Sequence, residues 1–209
     1  MPTSTASGRR YDSSGRRDQA RIRRAAALDA CLALFLERGF AATTMNAVAE
    51  RAGVSAELLY KAIGPKAALA KAVWDATRTG DDEPLTEGFV PREISAAVGI
   101  QAKLETYAGL VTSVNERLAP LAAVLMDGGA DAAQVVAETD AERLTGLRTF
   151  ACHLAAEGLL SPDADPLTVA DAWWALTGPH LFARLTSDRG WPVPQYQHWL
   201  ATVLELSAK

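Results

Sequence analysis

The sequence predicts an all-α protein, with a small N-terminal head of three helices, a larger C-terminal helical body and about nine helices in total. Apolar residues after Arg21 recur at the spacing of amphipathic helices, and no segment shows the alternation typical of a half-buried strand. Glycine and proline also interrupt the chain at intervals that suit helices. With 209 residues and a mass of 22.2 kDa, the chain is long enough to bury a proper core.

The first predicted helix spans residues 18–37. Leu28, Leu32 and Leu36 fall four residues apart and form one apolar stripe, and Gly39 supplies a stop just past the end. The pattern therefore predicts a helix with one buried face.

Three further helices are predicted before residue 80. A short one follows Thr44, and Gly53 ends it. Ser55 is expected to cap the next, since a serine hydroxyl can accept a bond from a free backbone N–H of the first turn. A fourth covers residues 65–79 and has a proline in its first turn, a favoured position.

Residues 79–91 contain acidic residues, glycines and prolines, which predicts a linker. Longer helical patterns follow, with breaks predicted at Pro120 and at Gly190. The predicted body helices are 92–117, 119–128, 131–159, 166–188 and 193–207. Pro179 lies inside the fourth of these and should kink it, because proline lacks the N–H that the helix needs.

Charge divides the chain into two unlike parts. Residues 1–71 hold 12 Lys and Arg against 6 Asp and Glu, whereas residues 72–209 hold 9 against 19. Seven arginines lie between Arg9 and Arg24. They fit either a solvated disordered tail or an arm that follows a phosphate backbone or enters a minor groove. We predict a basic disordered arm at 1–17 and, in the DNA-binding interpretation, contacts from Arg21 and Arg24.

Residues 43–63 form two short amphipathic helices joined by a turn at Gly53, the form of a helix-turn-helix unit. In such a unit the first helix braces the second, which presents its polar face to the DNA major groove. The exposed face of the second helix is predicted to carry Ser55, Ala56, Glu57, Tyr60 and Lys61. Ser, Tyr and Lys can donate hydrogen bonds to phosphates, and Glu can accept one from a cytosine amino group.

The run from Thr43 to Lys66 resembles the DNA-binding domain of the TetR family of transcriptional regulators. The matching features are a threonine pair, the A-G-V-S turn at 52–55, Tyr60, an apolar residue at Ile63 and the lysine that opens the fourth helix. The resemblance covers about 45 residues of the head. The run from Gly190 to Leu200 is similar to a segment that many family members carry before their last helix.

The resemblance implies phosphate contacts from Thr44, Tyr60 and Lys66, with Thr43 placed in the same DNA-binding set by the threonine pair. It implies groove contacts from Ser55, Ala56, Glu57 and Lys61. The chain departs from many relatives at Glu57-Leu58, where they have a small residue and then threonine, and at Ile63, where they have phenylalanine. Glu57 can either read a cytosine or sit as a favourable charge near the helix N-terminus.

The last two predicted helices carry wide apolar arcs. These arcs can pack into the protomer's own core, or they can bury surface between two copies. The TetR resemblance implies the second arrangement, a homodimer held by a four-helix bundle. The predicted interface residues are Trp173, Leu176, Leu181, Leu185, Tyr196, Trp199, Leu200 and Val203.

The body also contains aromatic and histidine residues that can line an apolar ligand cavity with a few polar groups. Packing into the core is the alternative role for each of them. The predicted pocket residues are Trp74, Tyr107, Met126, Phe150, His153, Trp174 and His180. The segment Gly178-Pro179-His180 is the predicted hinge, and Trp74 lies on the helix predicted to transmit ligand binding to the head.

Enzymatic interpretations have little support, because the sequence lacks G-x-S-x-G, P-loop and H-E-x-x-H motifs. Cys31 and Cys152 suit no disulfide framework or zinc site, so we expect no metal or cofactor and a reducing cytoplasmic location. We predict domains at 18–66 for DNA binding and 67–209 for ligand binding and dimerisation, in a repressor of a double-stranded DNA operator, without a membrane partner. The alternatives are a dimeric DNA-binding protein without a ligand, and a helical enzyme or carrier with a vestigial head.

Overall fold

The structure, a computed structural model, describes residues 13–80 and 91–209. In these residues the chain forms ten α-helices, one five-residue π-helical segment and no β-strand, which confirms the all-α prediction. The helices are α1 (Ser13–Ala42), α2 (Met45–Ala52), α3 (Ala56–Ala62), α4 (Lys66–Thr79), α5 (Arg92–Ala96), α6 (Gly99–Met126), α7 (Ala130–Ala156), α8 (Pro166–Leu176), α9 (Pro179–Ala183) and α10 (Val193–Leu206).

Helix α1 begins earlier than predicted. Its first turns, from Ser13, lie in the segment expected to be a disordered arm, and this part of the prediction is wrong. Arginine is a good helix former, so the arginines at positions 16 and 17 allow the amphipathic helix to extend toward its N-terminus. The rest of the predicted arm, residues 1–12, lies outside the described residues.

The head packs onto the body through one continuous core. Phe35 and Leu34 of α1 and Leu69 of α4 are fully buried in the same cluster as Leu121 and Leu125 of α6. Helix α4 contacts α1 of the head as well as α6 and α7 of the body. The head is therefore not an independent unit with its own core, and the predicted domain boundary after residue 66 falls after the first residue of α4, the helix that joins the two parts.

Helix α6 runs through Pro120 without a break, and the predicted interruption there is wrong. The N–H that proline lacks would have bonded the carbonyl of Glu116. Pro120 and Glu116 are exposed, so water can solvate that carbonyl. The actual break in the predicted helix 92–117 comes at Val98-Gly99, where Gly99 has φ +81°, a conformation that L-residues rarely adopt.

A second core fills the body between α6, α7, α8 and α10. Trp173, Tyr196, Leu200 and Leu154 are fully buried in it. The predicted kink at Pro179 is larger than expected, since the helix ends at Leu176 and a new one, α9, starts with Pro179 in its first turn. The π-helical segment (residues 184–188) continues α9. None of the helices in the described part of the chain has the length and hydrophobicity of a membrane-spanning segment.

Candidate nucleic-acid interface

Two helix caps and one left-handed glycine define the turn between α2 and α3. The Thr44 hydroxyl accepts a hydrogen bond from the Ala47 N–H at 3.2 Å and caps α2. Gly53 adopts the left-handed conformation (φ 67°, ψ 32°), in which its N–H bonds the Glu50 carbonyl. The Ser55 hydroxyl accepts from the Leu58 N–H at 3.2 Å and caps α3. These residues fix where α2 ends and where α3 begins.

Helix α3 is anchored on one side and open on the other. Leu59 is buried, 3% exposed, in the core shared by head and body. Tyr60 is 54% exposed, and Glu57 and Lys61 are exposed beside it. The open face therefore presents a phenol, a carboxylate and an ammonium group, which can bond phosphates and base edges.

The other predicted contacts on this helix differ in exposure. Ser55 is exposed, but its hydroxyl oxygen already serves the helix cap. Ala56 is half-buried. Glu57 lies in the first turn of α3, where its charge also suits the positive end of the helix.

Thr43 does not belong to the exposed face, and its assignment as a DNA contact is wrong. Its side chain is 1% exposed and its hydroxyl donates to the Gly39 carbonyl at 2.8 Å, with the Leu34 carbonyl at 3.2 Å. A threonine in this position closes the end of α1 and cannot reach a phosphate. Thr44 is exposed and keeps its predicted place at the surface.

Lys66 also has an internal role that sequence reasoning missed. Its ammonium donates to the carbonyls of Phe40 at 3.0 Å and Thr43 at 3.2 Å, and lies 4.3 Å from the centre of the Phe40 ring. The half-buried lysine thus ties the start of α4 to the end of α1. A phosphate contact from Lys66 would have to compete with these internal bonds.

Arg21 and Arg24 lie on the exposed N-terminal half of α1. Arg21 is 3.7 Å from the Asp18 carboxylate, but both side chains are largely exposed and the pair is weak. A shorter contact joins α1 to α2, where the Arg51 guanidinium of α2 donates to the Glu37 carboxylate of α1 at 2.8 Å. This hydrogen bond lowers the pKa of Glu37. It links α2 to α1 across 14 positions of sequence, a separation that helical periodicity does not reveal.

Three of the seven predicted pocket residues, Tyr107, Trp174 and His180, lie around Arg143 of α7. A fourth, Phe150, packs against Tyr107. The rings of Tyr107 and Phe150 are 4.9 Å apart, and the Arg143 guanidinium lies 5.1 Å from the Trp174 ring centre. Burial raises the pKa of Tyr107 to about 12 and lowers that of His180, which lies near Arg143 and Asp140.

Arg143 holds the interruption between α8 and α9. It donates to the Trp174 carbonyl at 2.6 Å and to the Thr177 hydroxyl at 3.1 Å, and pairs with Asp140 at 2.9 Å. Nearby, the Asn115 amide donates to the Thr177 carbonyl at 3.1 Å. The Tyr196 hydroxyl is buried and lacks a partner of good geometry among the described residues, and burial raises its pKa to about 12. This polar cluster, absent from the sequence prediction, sits at the predicted hinge.

The other three predicted pocket residues lie elsewhere. Met126 is 60% exposed at the end of α6, so its assignment to a pocket is wrong. Trp74 is buried in the core that joins head and body. His153 is half-buried and lies 3.2 Å from Glu157, which also pairs with the buried Lys103. Neither the groove between α1 and α4 nor the small cavity beside the end of α10 is lined by any of the seven.

The predicted dimer residues fall into two groups. Trp173, Tyr196 and Leu200 are fully buried within one protomer, and Trp173 donates its indole N–H to the Ser207 hydroxyl at 2.8 Å. Their assignment to an interface is wrong, because a single chain already covers them. The remaining predicted residues are half-buried and accessible to a second copy: Leu176, Leu181, Leu185, Trp199 and Val203.

No group of His, Cys, Asp and Glu that could hold a metal ion occurs among residues 13–80 and 91–209.

Residues 27–73 match the family profile described as bacterial regulatory proteins, tetR family. A search of curated proteins finds no match. Among solved structures, the chain is similar to a Rhodococcus protein assigned to the TetR family of transcriptional regulators (20% identity, 90% of this chain, 100% of that chain, TM-score 0.68).

Two further solved structures are similar. One is NalD, the secondary repressor of the MexAB-OprM multidrug efflux pump in Pseudomonas aeruginosa (18% identity, 90% of this chain and 97% of that chain, TM-score 0.69). The other is the transcriptional regulator FadR from Bacillus subtilis in complex with stearoyl-CoA (14%, 88% and 99%, TM-score 0.64). At these identities the likeness establishes the fold, with its N-terminal helix-turn-helix and helical body.

Proposed function

We propose that this chain, a member of the TetR family through its domain at residues 27–73 and its fold, is a homodimeric repressor that binds a double-stranded DNA operator. One observation carries the proposal. Helix α3 is capped at Ser55 and anchored at Leu59, while Glu57, Tyr60 and Lys61 stay exposed in a row that a major groove can accept.

The side chains of α3 and its surroundings would make two kinds of DNA contact, to phosphates and to a base. Tyr60, Lys61 and the exposed Thr44 can donate to phosphates, which set the position of α3 on the duplex. Glu57 is the residue that can read a base, by accepting from a cytosine amino group. Arg21 and Arg24 would add phosphate contacts from α1, in line with the positive charge of the head.

Two copies are needed for a stable operator complex, since each chain carries one α3. A two-fold dimer would place two heads on half-sites about 34–36 Å apart, one turn of DNA. The accessible apolar residues of α8, α9 and α10 support this dimer, above all Leu181, Trp199 and Val203. We place the interface on this face.

Release by a small-molecule ligand is the finer part of the proposal. The polar cluster around Arg143 lies at the break between α8 and α9, with His180 beside it. A ligand that favours one arrangement of this break would shift the populations of the head orientations. FadR in complex with stearoyl-CoA and the repressor NalD share the fold and support this regulatory scheme. A coupling of about 1–3 kcal/mol would loosen DNA binding about 5- to 150-fold.

Helix α4 offers a physical route from body to head. Arg117 of α6 donates to the carbonyls of Thr77 and Arg78 at the end of α4, at 3.2 and 2.8 Å. Lys71 of α4 pairs with Glu142 of α7 at 2.9 Å. A shift of α6 or α7 would therefore pull on α4, which is bonded through Lys66 to the end of α1.

A dimeric DNA-binding protein without a small-molecule ligand is a second candidate. It is favoured by the burial of two predicted pocket residues, Trp74 and Phe150, in the hydrophobic cores, where they serve packing. In both candidates we propose a cytoplasmic regulator that acts by binding rather than by catalysis.

Selection of genomic fragments by the purified chain, followed by footprinting, tests the proposal. We expect saturable protection of one two-fold symmetric site, with the centres of the half-sites one helical turn apart. Equal binding to all fragments, or no protection, would contradict it. Small molecules that release the protein from the selected fragment would favour the ligand-regulated form over the second candidate.

A further inference from the structure

A groove lies on the side of the head between α1, the end of α3 and α4. Its volume is about 690 Å³, and the groove is open to solvent. We call it the α1–α4 groove. Its apolar lining consists of Leu28, Ala62, Ile63, Ala68, Ala72 and Ala76, and its charged lining of Arg24, Lys71, Asp75 and Arg78.

The positive charges of the α1–α4 groove are unequal. Lys71 is neutralised, because it bonds Asp75 at 2.8 Å and Glu142 at 2.9 Å. Arg24 and Arg78 have side chains with neither a hydrogen bond nor an ion pair inside the described part of the chain. Two guanidinium groups thus face one groove without a carboxylate of their own.

Arg78 gives the stronger indication of a ligand. Its Nε atom is buried and has no hydrogen-bond partner among the described residues. Burying a charged donor without a partner is costly, and such groups in folded proteins usually have a partner or a bound molecule. Its backbone is held in place, since the Arg78 carbonyl accepts from Arg117 at 2.8 Å.

We propose that the α1–α4 groove binds an organic carboxylate with a hydrocarbon portion. The carboxylate would accept from Arg78 in the paired geometry that guanidinium groups favour, with Arg24 as the second cation. The hydrocarbon portion would cover the alanines of α4 together with Leu28 and Ile63. A single anion also fits the net charge around the groove. Lys71, Asp75 and Glu142 together carry one negative charge, and the two free arginines carry two positive charges, which leaves one positive charge.

Occupation of this groove would also affect α3, the helix proposed to enter the DNA major groove. Ala62 ends α3 and Ile63 is its C-cap, so a ligand that touches them restrains α3 against α1 and α4. An effect on DNA affinity rests on the proposed function, whereas binding of the carboxylate does not.

The test uses the full chain and octanoate as the probe, with octanol as its uncharged match, in isothermal titration calorimetry without DNA. We expect saturable binding of one octanoate per chain and at least about tenfold weaker binding of octanol, because the charged hydrogen bonds are lost. Arg78→Gln and Arg24→Gln should each weaken octanoate binding, with about tenfold expected for Arg78→Gln. Ala72→Phe should block it by filling the groove.

Arg189→Gln is the matched control, since Arg189 is an exposed arginine in the body that does not line the groove. It should leave octanoate binding unchanged, and circular dichroism should show all variants folded. Equal binding of octanol, octanoate binding that survives both arginine substitutions and Ala72→Phe, or no saturable binding of octanoate would each overturn the proposal. Because DNA is absent from this test, its failure leaves the operator-binding proposal standing.

Discussion

Thr43 and Thr44 are neighbours in the chain, yet their hydroxyl groups serve different ends. The Thr43 hydroxyl is buried and donates to the carbonyl of Gly39, which closes α1. The Thr44 hydroxyl is exposed and accepts from the Ala47 N–H, which opens α2. In the family resemblance the two threonines form one motif. Their burial in the structure distinguishes Thr43, which has a structural role, from Thr44, which is a candidate DNA contact.

Replacing each threonine by valine tests this division. Thr43→Val should lower the free energy of unfolding by about 1 kcal/mol, because the Gly39 carbonyl loses its donor, and should leave the salt dependence of DNA binding unchanged. Thr44→Val should cost a similar amount through the lost cap and also weaken DNA binding. Urea unfolding at one protein concentration and a DNA titration measure both. Equal loss of DNA affinity in the two variants would contradict the assignment.

Lys61 is expected to carry a phosphate contact. Lys61→Gln should weaken operator binding. It should also make the slope of log K against log salt less negative by about 2 for a dimer, because each lost phosphate contact removes about 0.9 from its magnitude. Lys209→Gln is the control, because Lys209 is an exposed lysine that pairs with Glu205 at the far end of the chain. An unchanged slope in Lys61→Gln would remove this residue from the interface.

At the scale of the helices, local signals predict boundaries well where a side chain or a glycine decides them. Gly53 and Ser55 define the turn, and both were identified from sequence. The sequence predicts a break at Pro120 and the structure shows none, because whether a helix tolerates a proline depends on the exposure of the carbonyl four residues earlier. That exposure is a property of the folded protein, so the local pattern does not contain it.

Gly53→Ala should destabilise the turn between α2 and α3. A left-handed conformation costs an L-residue about 1–2 kcal/mol, and nothing nearby crowds the added methyl group, so strain is the main effect. Gly146→Ala is the matched control. Gly146 lies exposed within α7 with open space around it, and alanine there should stabilise the helix by about 0.5–1 kcal/mol. Thermal unfolding of both variants gives the comparison, and equal effects would contradict the role of Gly53.

At the scale of the whole molecule, the chain behaves as one packed unit in which the head is braced by the body. The end of α6 and its turn into α7 lie directly on the end of α1. A Cβ atom at Gly128 would fall 3.0 Å from the Phe40 Cβ and 2.5 Å from the Ala132 Cβ. This close approach brings the body to Phe40, whose ring also lies 4.3 Å from the Lys66 ammonium.

The contacts between head and body, like those around Arg143, join residues far apart in sequence, such as Asn115 and Thr177. For this reason sequence periodicity predicted the helices but not the polar cluster at the hinge. It likewise identified Trp173 and Tyr196 as apolar surface without showing that the chain covers them itself.

Gly128→Ala should therefore destabilise the protein by about 1–3 kcal/mol and weaken DNA binding, because Phe40 and the end of α1 must shift. Gly109→Ala is the control on α6. Its added methyl group meets only the end of the flexible Gln197 side chain, which can move aside. Urea unfolding and a DNA titration of the two variants check this. A Gly128→Ala protein with unchanged stability and DNA affinity would show that the junction does not brace the head.

The salt dependence of operator binding tests the central claim most directly. If two copies of α3 and their neighbours make about 6–10 phosphate contacts, log K should fall against log salt with a slope of about −5 to −9 on the footprinted fragment. A slope near zero on that fragment would contradict DNA recognition by this face of the head.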